Sequence, residues 1–187
     1  MQMNLKDYVR VYKNVYDKSF CENVIAELQD VEFIKHQFYG ATDDSYVYVG
    51  DDFDCFQGNI HSKKIIMDTT WKMIHKYIVE EFNFPWFTGW SAFTPTKFHR
   101  YDVNTNMKEH CDHIHSIFDG QLKGVPILTV LSSLNEDYEG GDLIFFENEK
   151  IDLKTGDVMI FPSNFMYPHK VTPVTKGQRY SMVNWVW

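Results

Sequence analysis

A histidine and an aspartate stand two residues apart near the middle of the chain, in the run His110-Cys111-Asp112. Residues two apart in an extended chain point to the same side, so His110 and Asp112 can face one point while Cys111 faces away. One imidazole and one carboxylate at the end of a strand make half of a metal site, and a third ligand must come from elsewhere. His169 is the best candidate, because it begins another predicted strand.

This ligand set favours a particular kind of metal. Two histidines and one carboxylate on one face of an octahedron leave three positions open, which is typical of non-haem Fe(II) sites that accept a bidentate co-substrate and O₂. A structural zinc site would instead need four closed ligands, often thiolates. The sequence therefore predicts Fe(II) ligands at His110, Asp112 and His169.

An anion-binding pattern follows ten residues after His169. Arg179 and Ser181 share one face of a predicted strand. A guanidinium binds a carboxylate through two hydrogen bonds, and a neighbouring hydroxyl can add a third. Tyr101 could donate another hydrogen bond to the same ligand. Two other interpretations remain open at this point: a surface ion pair for Arg179 and core packing for Tyr101.

These residues belong to an ordered series of motifs that resembles the 2-oxoglutarate/Fe(II) dioxygenases, specifically their prolyl 4-hydroxylase-like branch. An H-x-D motif alone is weakly specific, whereas the ordered series is strongly specific and covers roughly residues 90–187. The matching motifs are His110-Cys111-Asp112, Gly140-Gly141-Asp142-Leu143, Phe161-Pro162-Ser163, Pro168-His169-Lys170-Val171-Thr172-Pro173-Val174 and Gly177-Gln178-Arg179-Tyr180-Ser181.

The resemblance implies a double-stranded β-helix, or jelly roll, with Fe(II) at its open mouth. It implies that 2-oxoglutarate binds through Arg179, Tyr101 and Ser181, and that O₂ is the second co-substrate. It also implies oxidative decarboxylation to succinate and CO₂ coupled to hydroxylation of an unactivated C–H bond, most directly of a peptidyl proline. In the family, ascorbate keeps the iron reduced. Many hydroxylases of collagen-type peptides use Lys where this chain has Arg179, so the substrate remains open.

Three alternatives deserve comparison with this interpretation. With His113 and His115, the H-x-D run superficially resembles a binuclear zinc hydrolase motif, but the helix–strand alternation of such hydrolases does not follow it. A jelly-roll binding module without catalysis is a second alternative, disfavoured because all three ligands and Arg179 are present. The third keeps the dioxygenase chemistry but acts on a free amino acid or another small molecule.

Two helices are predicted in the first half of the chain. Ser19 and Glu22 form a capping-box pattern at the start of the first. The second follows Asn59, ends near Asn83, and carries one apolar stripe that we expect to pack in the core. The residues of that stripe are Met67, Trp71, Ile74, Ile78 and Phe82.

Residues 39–58 combine acidic and aromatic side chains and indicate a long loop or loose hairpin with an acidic, aromatic surface. Two interpretations remain open: a solvated connection, or a lid over the substrate. As a lid, the segment would suit a basic peptide by charge complementarity, with Asp51, Asp52 and Asp54 as the residues that select it.

Short strands separated by turn signals are predicted after residue 86, and their regular spacing indicates an antiparallel sandwich or barrel. The predicted fold class is mainly β with flanking helices, which cover one outer face of a jelly-roll core. The candidate strands in this region are 89–101, 125–134, 142–147, 157–162, 169–174 and 179–187. A further short strand is predicted near the start of the chain, at 8–15.

Composition sets the remaining expectations. A chain of 187 residues suits a single domain, 1–187, with a helical support and lid region (1–85) and a jelly-roll core (86–187). The net charge of −8 argues against a nucleic-acid partner. Three dispersed cysteines fit a reducing compartment, and neither a signal peptide nor a membrane span is evident. We therefore expect a cytoplasmic protein that acts on a peptide, protein or small molecule.

Overall fold

The structure, a computed structural model, describes residues 4–40, 45–48, 50–87, 89–112 and 125–187. None of the helices in these ranges has the length and apolar character needed to cross a membrane. The helical elements are α1 (Lys18–Glu27), α2 (Lys63–His75), a π-helical continuation of α2 over Lys76–Phe82, and two short 3₁₀ helices, Leu5–Tyr8 and Leu28–Asp30.

The β-strands occur throughout the described chain. They are β1 (Arg10–Tyr12), β2 (Ile34–Lys35), β3 (Gln37–Gly40), β4 (Ser45–Tyr48), β5 (Asp54–Phe56), β6 (Lys97–Tyr101), β7 (Met107–His110), β8 (Leu128–Ser133), β9 (Glu139–Gly140), β10 (Leu143–Phe145), β11 (Glu149–Ile151), β12 (Val158–Pro162), β13 (His169–Val171), β14 (Val174–Lys176) and β15 (Arg179–Val186).

Two sheets form the body of the molecule. The larger has seven strands in the order β1-β12-β8-β15-β6-β5-β2, and the smaller has four in the order β11-β10-β13-β7. Two further pairs, β14 with β9 and β3 with β4, stand apart from them. All strand pairs within these sheets are antiparallel, as the spacing of strands and turns predicts.

The alternation of side chains along β12 divides the core into two layers. Val158 and Ile160 join a cluster that also contains buried residues of α1 and α2. Met159 and Phe161 point to the other side and join a cluster shared with Phe145 of the smaller sheet. Because successive residues of a strand point to opposite faces, the larger sheet separates a helix-covered layer from a layer between the sheets. The helices therefore cover one outer face, as predicted.

The first helix begins two residues before its predicted start. The Asp17 carboxylate accepts a hydrogen bond from the backbone amide of Phe20 at 2.7 Å, and the Ser19 hydroxyl donates to the same oxygen at 2.7 Å. Asp17 is therefore the N-cap, which satisfies an otherwise unpaired amide of the first turn. The predicted capping box of Ser19 and Glu22 is wrong.

The buried face of α2 is rotated from the predicted stripe. Ile74 and Ile78 are buried as predicted, but Trp71 is 48% exposed and stacks on His75 instead of entering the core. The residues buried along this helix and its continuation are Ile66, Thr70, Met73, Ile74, Tyr77 and Ile78. The apolar period alone does not distinguish two adjacent faces of this helix, and Trp71 lies on the more exposed one.

The first 85 residues contribute strands as well as helices, because β1, β2 and β5 extend the larger sheet. Within residues 39–58, β3 and β4 pair antiparallel, in agreement with the hairpin interpretation. The expected acidic, aromatic surface is wrong at Asp52 and Phe53, which are 0% and 1% exposed. Asp52 is within 3.1 Å of the His36 ring, so its charge is directed into the protein.

Candidate metal centre

Two strands of the smaller sheet bring the three predicted metal ligands together. His110 ends β7, His169 begins β13, and these two residues are paired directly across the strands. Asp112 follows two residues after His110. One ligand atom from each of the three side chains lies within 4.8 Å of the other two, so that the set could hold a metal ion.

The ligand atoms converge around the Asp112 carboxylate, which is 6% exposed. His110 Nε2 lies 3.3 Å from Asp112 Oδ1, and His169 Nε2 lies 3.8 Å from Asp112 Oδ2. The two imidazole rings are 4.3 Å apart between their centroids. Two imidazole nitrogens and one carboxylate, with no thiolate among them, fit Fe(II) with open coordination positions better than they fit structural zinc.

Hydrogen bonds to the backbone orient both imidazoles. Nδ1 of His110 lies 2.7 Å from the carbonyl oxygen of Lys108, and Nδ1 of His169 lies 3.1 Å from that of Tyr167. A carbonyl oxygen can only accept, so each Nδ1 is the donor, and in the neutral form of the ring the Nε2 lone pair is available to a metal. The strand backbone thus selects the tautomer that a ligand needs.

The carboxylate is held by a buried hydroxyl pair. Thr129 on β8 donates from Oγ1 to Asp112 Oδ2 at 2.7 Å, and the Ser163 hydroxyl lies 2.9 Å from that of Thr129. Sequence reasoning missed Thr129. It is a single hydroxyl residue inside the otherwise apolar run 127–131, and that contrast is the signal that could have revealed it.

Electrostatics keep the aspartate ionised. Burial alone would raise the pKa of Asp112, but the adjacent His169 and His110 imidazoles and the Thr129 hydroxyl outweigh it and hold this pKa well below its usual range. Burial is also the main cause that lowers the pKa of His169. An ionised carboxylate beside a neutral imidazole is the protonation state in which both groups bind a cation.

The predicted anion-binding residues are paired on neighbouring strands. Arg179 on β15 lies opposite Tyr101 on β6, and its guanidinium carbon is 4.9 Å from the centre of the tyrosine ring. Arg179 Nη1 donates to the Ser181 hydroxyl at 3.1 Å. Burial raises the pKa of Tyr101, so its hydroxyl remains a hydrogen-bond donor.

The environment of Arg179 fits an anionic ligand. The side chain is only 2% exposed, and its Nε has no hydrogen-bond partner within the described part of the chain. Over the same residues, no carboxylate lies within 4.0 Å of its guanidinium. A buried cation without a counter-charge is costly, so a bound dicarboxylate such as 2-oxoglutarate would compensate it. The surface ion pair considered for Arg179 is therefore wrong.

Two consecutive glycines shape the wall beside this arginine. Gly141 has a φ of +62°, and a Cβ atom there would lie 3.0 Å from Arg179 Cδ. Gly140 has a φ of +73°, and its Cβ would lie 2.3 Å from the carbonyl oxygen of Pro173. A side chain at either position would require a left-handed backbone and would lie too close to a neighbouring atom. This explains why both residues of the Gly140-Gly141 motif are glycine.

Two other histidines, His36 and His99, are buried in the described part of the chain. His99 is 8% exposed, and its ring centroid lies 4.5 Å from that of Phe53. His36 is buried, and its ring is hydrogen-bonded to the Asp52 carboxylate. His113 and His115, on which the zinc hydrolase alternative rests, lie outside the described residues.

The second half of the chain matches a known protein family and two bacterial hydroxylases in sequence. Residues 96–187 match the family model described as the 2OG-Fe(II) oxygenase superfamily. A PKHD-type hydroxylase of Alteromonas mediterranea is 34% identical over 99 residues, which is 49% of this chain and 42% of that protein. A PKHD-type hydroxylase of Shewanella oneidensis is 36% identical over 99 residues, 50% of this chain and 43% of that protein. The matches thus span less than half the length of these curated relatives.

Solved structures resemble the chain over nearly its whole length. A Trichoplax adhaerens prolyl hydroxylase, in complex with a peptide fragment of a hypoxia inducible factor, has a TM-score of 0.74 at 20% identity and covers 96% of this chain and 83% of its own. A viral collagen prolyl hydroxylase from Paramecium bursaria Chlorella virus-1, in a 2OG complex, has a TM-score of 0.69 at 15% identity, covering 96% and 94%.

At these low identities the structural matches establish the fold, and they confirm the predicted jelly-roll core with flanking helices. The family model covers the segment that contains every predicted metal and anion ligand, from Tyr101 to Ser181. Together these matches confirm the resemblance stated from the sequence motifs. Residues 96–187 of the chain thus belong to the 2OG-Fe(II) oxygenase superfamily, and the chain has a prolyl 4-hydroxylase-like fold.

Proposed function

We propose that the protein is a 2-oxoglutarate- and Fe(II)-dependent dioxygenase that hydroxylates an unactivated C–H bond and releases succinate and CO₂. The observation that carries this proposal is the convergence of three ligand atoms within 4.8 Å of one another, in a fold whose interior also holds a buried, uncompensated guanidinium. On this proposal residues 1–187 act as one domain, and the net charge of −8 argues against a nucleic-acid substrate.

Each of the site residues then has a defined task. His110, Asp112 and His169 would hold Fe(II), which supplies the oxygen-activating chemistry when bound. Arg179 would bind the distal carboxylate of 2-oxoglutarate, with Ser181 and Tyr101 as further hydrogen-bond donors. Thr129 holds the Asp112 carboxylate in place for the metal. Ascorbate would serve as the reductant that keeps the iron ferrous between turnovers.

A peptidyl proline is the proposed substrate. The support is the fold, since the viral and Trichoplax adhaerens proteins that it resembles are prolyl hydroxylases, and the latter is in complex with a peptide. A free amino acid or another small molecule is the second candidate. A screen of peptides and metabolites distinguishes the two candidates. If the substrate is a small molecule, a metabolite rather than a peptide should gain the mass of one oxygen atom.

Succinate formation tests the co-substrate chemistry without knowledge of the substrate. We expect the protein, given Fe(II), 2-oxoglutarate, O₂ and ascorbate, to form succinate slowly. His110→Ala and Asp112→Ala should remove this activity, because each deletes a metal ligand. Arg179→Gln should raise the KM for 2-oxoglutarate by about tenfold or more, since a bidentate ion pair is lost.

Glu109→Ala is the matched control for these variants. Glu109 lies on the same strand as His110 but is exposed, so this substitution should leave succinate formation unchanged. An absence of succinate from the folded wild-type protein with every co-substrate present would instead favour the non-catalytic jelly-roll module.

A further inference from the structure

The inward face of β6 connects the predicted 2-oxoglutarate site to a groove. Lys97, His99 and Tyr101 alternate along this strand and so point to the same side of the sheet. They pair in register with Val183, Ser181 and Arg179 of β15, respectively. Tyr101 thus lies beside the predicted carboxylate-binding arginine, and Lys97 lies four residues away at the other end of the strand.

A cavity of about 330 Å³ opens beside Lys97. This volume lies at the lower end of the range for small-ligand sites. Its walls come from β2, β3, β5 and β6, and the lining residues are Glu32, Ile34, Lys35, Gln37, Cys55, Phe56, Gln57 and Lys97. We call this cavity the Lys97 groove.

Two contacts place the Lys97 groove next to the metal centre. Lys97 Nζ lies 5.9 Å from the centre of the Trp185 ring. Trp185 on β15 pairs directly with Thr129 on β8, and Thr129 donates its hydroxyl hydrogen to the predicted metal ligand Asp112. Trp185 and Thr129 therefore link Lys97, at the edge of the groove, to the predicted metal ligand Asp112.

The charge of Lys97 is not neutralised by the described part of the protein. In these residues no carboxylate lies within 4.0 Å of its ammonium group, whereas Lys35 in the same groove pairs with Asp54 at 2.9 Å. Glu32 is an acidic residue of the lining, but it forms no ion pair with either lysine in the described ranges. Lys97 is half-buried, and among the described residues no carboxylate supplies its ammonium with a counter-charge.

A second polar group on the same face has no hydrogen-bond partner among the described residues. Nε2 of His99 is buried, and within the described chain it has no hydrogen-bond partner. Burial lowers the pKa of His99 well below its usual value, so the ring is neutral and can accept or donate one further hydrogen bond. On this face of β6, His99 thus has an unpaired ring nitrogen, and Lys97 has an ammonium without a carboxylate partner among the described residues.

We propose that the substrate carries a carboxylate close to the carbon that is hydroxylated, and that this carboxylate pairs with Lys97. The inference rests on the proposed dioxygenase function and adds the chemical class of its substrate. The carboxylate belongs to a Glu or Asp side chain of a peptide, or to a free amino acid. The basic preference expected from Asp51, Asp52 and Asp54 loses support at Asp52, which is buried against His36, and at Asp54, which is paired with Lys35 and Arg100, whereas Asp51 is exposed.

Paired peptides test the proposal directly. Proline-centred peptides with Glu or Asp at each flanking position are compared with the same peptides carrying Gln or Asn, and free amino acids form a separate arm. We expect the wild-type protein to bind or hydroxylate the acidic member of at least one pair about tenfold better, the effect of one partly buried ion pair. Binding is measured by calorimetry and hydroxylation by the mass gain of one oxygen.

Variants of Lys97 attribute the preference to this residue. Lys97→Gln and Lys97→Met should lose the acidic preference, and Lys97→Glu should reverse it in favour of a peptide with Lys at the same position. Lys72→Gln is the control, because Lys72 is exposed on α2 and outside the groove lining; it should keep the preference. Thermal melting confirms that each variant is folded.

Succinate formation without a peptide separates this proposal from the proposed function. The Lys97 variants should retain this activity and an unchanged KM for 2-oxoglutarate. A raised KM for 2-oxoglutarate with unaltered discrimination between acidic and amide peptides would overturn the proposal and assign Lys97 to the co-substrate. The proposal is also wrong if no acidic ligand binds wild type more tightly than Lys97→Gln. If the wild-type protein forms no succinate, the proposed dioxygenase function is wrong. The pairing of Lys97 with a carboxylate is still tested in that case, because the binding comparison requires no turnover.

Discussion

His110 and His169 are direct partners across the β7–β13 pair, so that backbone pairing in the smaller sheet places two imidazoles with their centroids 4.3 Å apart. The two histidines are therefore neighbours in space, although 58 residues separate them in sequence. Each ring is also tied through Nδ1 to a backbone carbonyl two residues before it. A metal centre built this way is preorganised by the sheet, and only Asp112 depends on a side-chain contact to another strand.

That contact leads to a prediction about Thr129. Thr129→Val keeps the shape of the side chain but removes the hydroxyl that donates to Asp112 Oδ2 at 2.7 Å. The carboxylate would lose its fixed orientation, and we expect affinity for Fe(II), or for Mn(II) as a substitute, to fall by about 10–100-fold. Metal titration followed by calorimetry measures this directly.

Thr175→Val serves as the control for this prediction, because Thr175 is exposed on β14. It should bind metal as the wild type does. Equal metal affinity of Thr129→Val and the wild type would show that Asp112 is positioned by its backbone alone.

Gly141 offers a test of how Arg179 is positioned. Gly141→Ala would place a Cβ at 3.0 Å from Arg179 Cδ and would hold alanine at a φ of +62°. We expect a loss of about 1–2 kcal/mol in the free energy of unfolding from the left-handed backbone. We also expect a raised KM for 2-oxoglutarate, because the displaced arginine no longer fits its ligand. Urea unfolding and succinate kinetics report these two effects separately.

Gly50→Ala is the appropriate comparison, since nothing lies within 4 Å of a Cβ at this position and its backbone is not left-handed. It should change neither quantity. If Gly141→Ala lowers stability but leaves the KM for 2-oxoglutarate as it was, then Arg179 does not bind the co-substrate in the orientation described.

The side chains that the structure brings together at the candidate site were easier to select from the sequence than the elements that surround them. The spacing of His110 and Asp112, and the order of the motifs around His169 and Arg179, indicate the chemistry of these side chains from the sequence alone. By contrast, β7 is too short and too polar to be recognised, since two of its four residues are exposed. Its assignment as a strand depends on pairing with β13, which is a contact distant in sequence.

Residues whose role depends on such contacts could not be assigned from the chain alone. Trp71 follows the helical period of a core residue, yet it is exposed because the sheet selects a neighbouring face of α2. Asp52 belongs to a segment with the composition of a surface loop, yet its side chain is buried. The strand that follows it, β5, pairs with β6 and so holds this segment against the sheet. Lys97, in contrast, could have been found from its two-residue spacing to His99 and Tyr101.

Asp157 provides a prediction about the dependence of stability on pH. Burial would raise the pKa of this carboxyl, but hydrogen bonds from Lys13 Nζ and from the backbone amides of Lys154 and Asn14 outweigh it and lower the pKa. A lowered folded-state pKa means that the stabilisation is complete above the unfolded-state value of about 3.9 and is lost as the pH falls through the folded-state pKa. Asp157→Asn should therefore cost about 1–3 kcal/mol near neutral pH.

The difference between the wild type and Asp157→Asn should stay constant from neutral pH down to about pH 5, and should shrink below about pH 4 as the wild-type carboxylate binds a proton. Urea unfolding of both proteins across this range measures it. Asp68→Asn is the control, because Asp68 forms only an exposed pair with Lys64 and should change stability by less than about 0.5 kcal/mol. A difference that instead grows toward acid pH would mean that Asp157 is protonated in the folded protein, contrary to the three hydrogen bonds that it accepts.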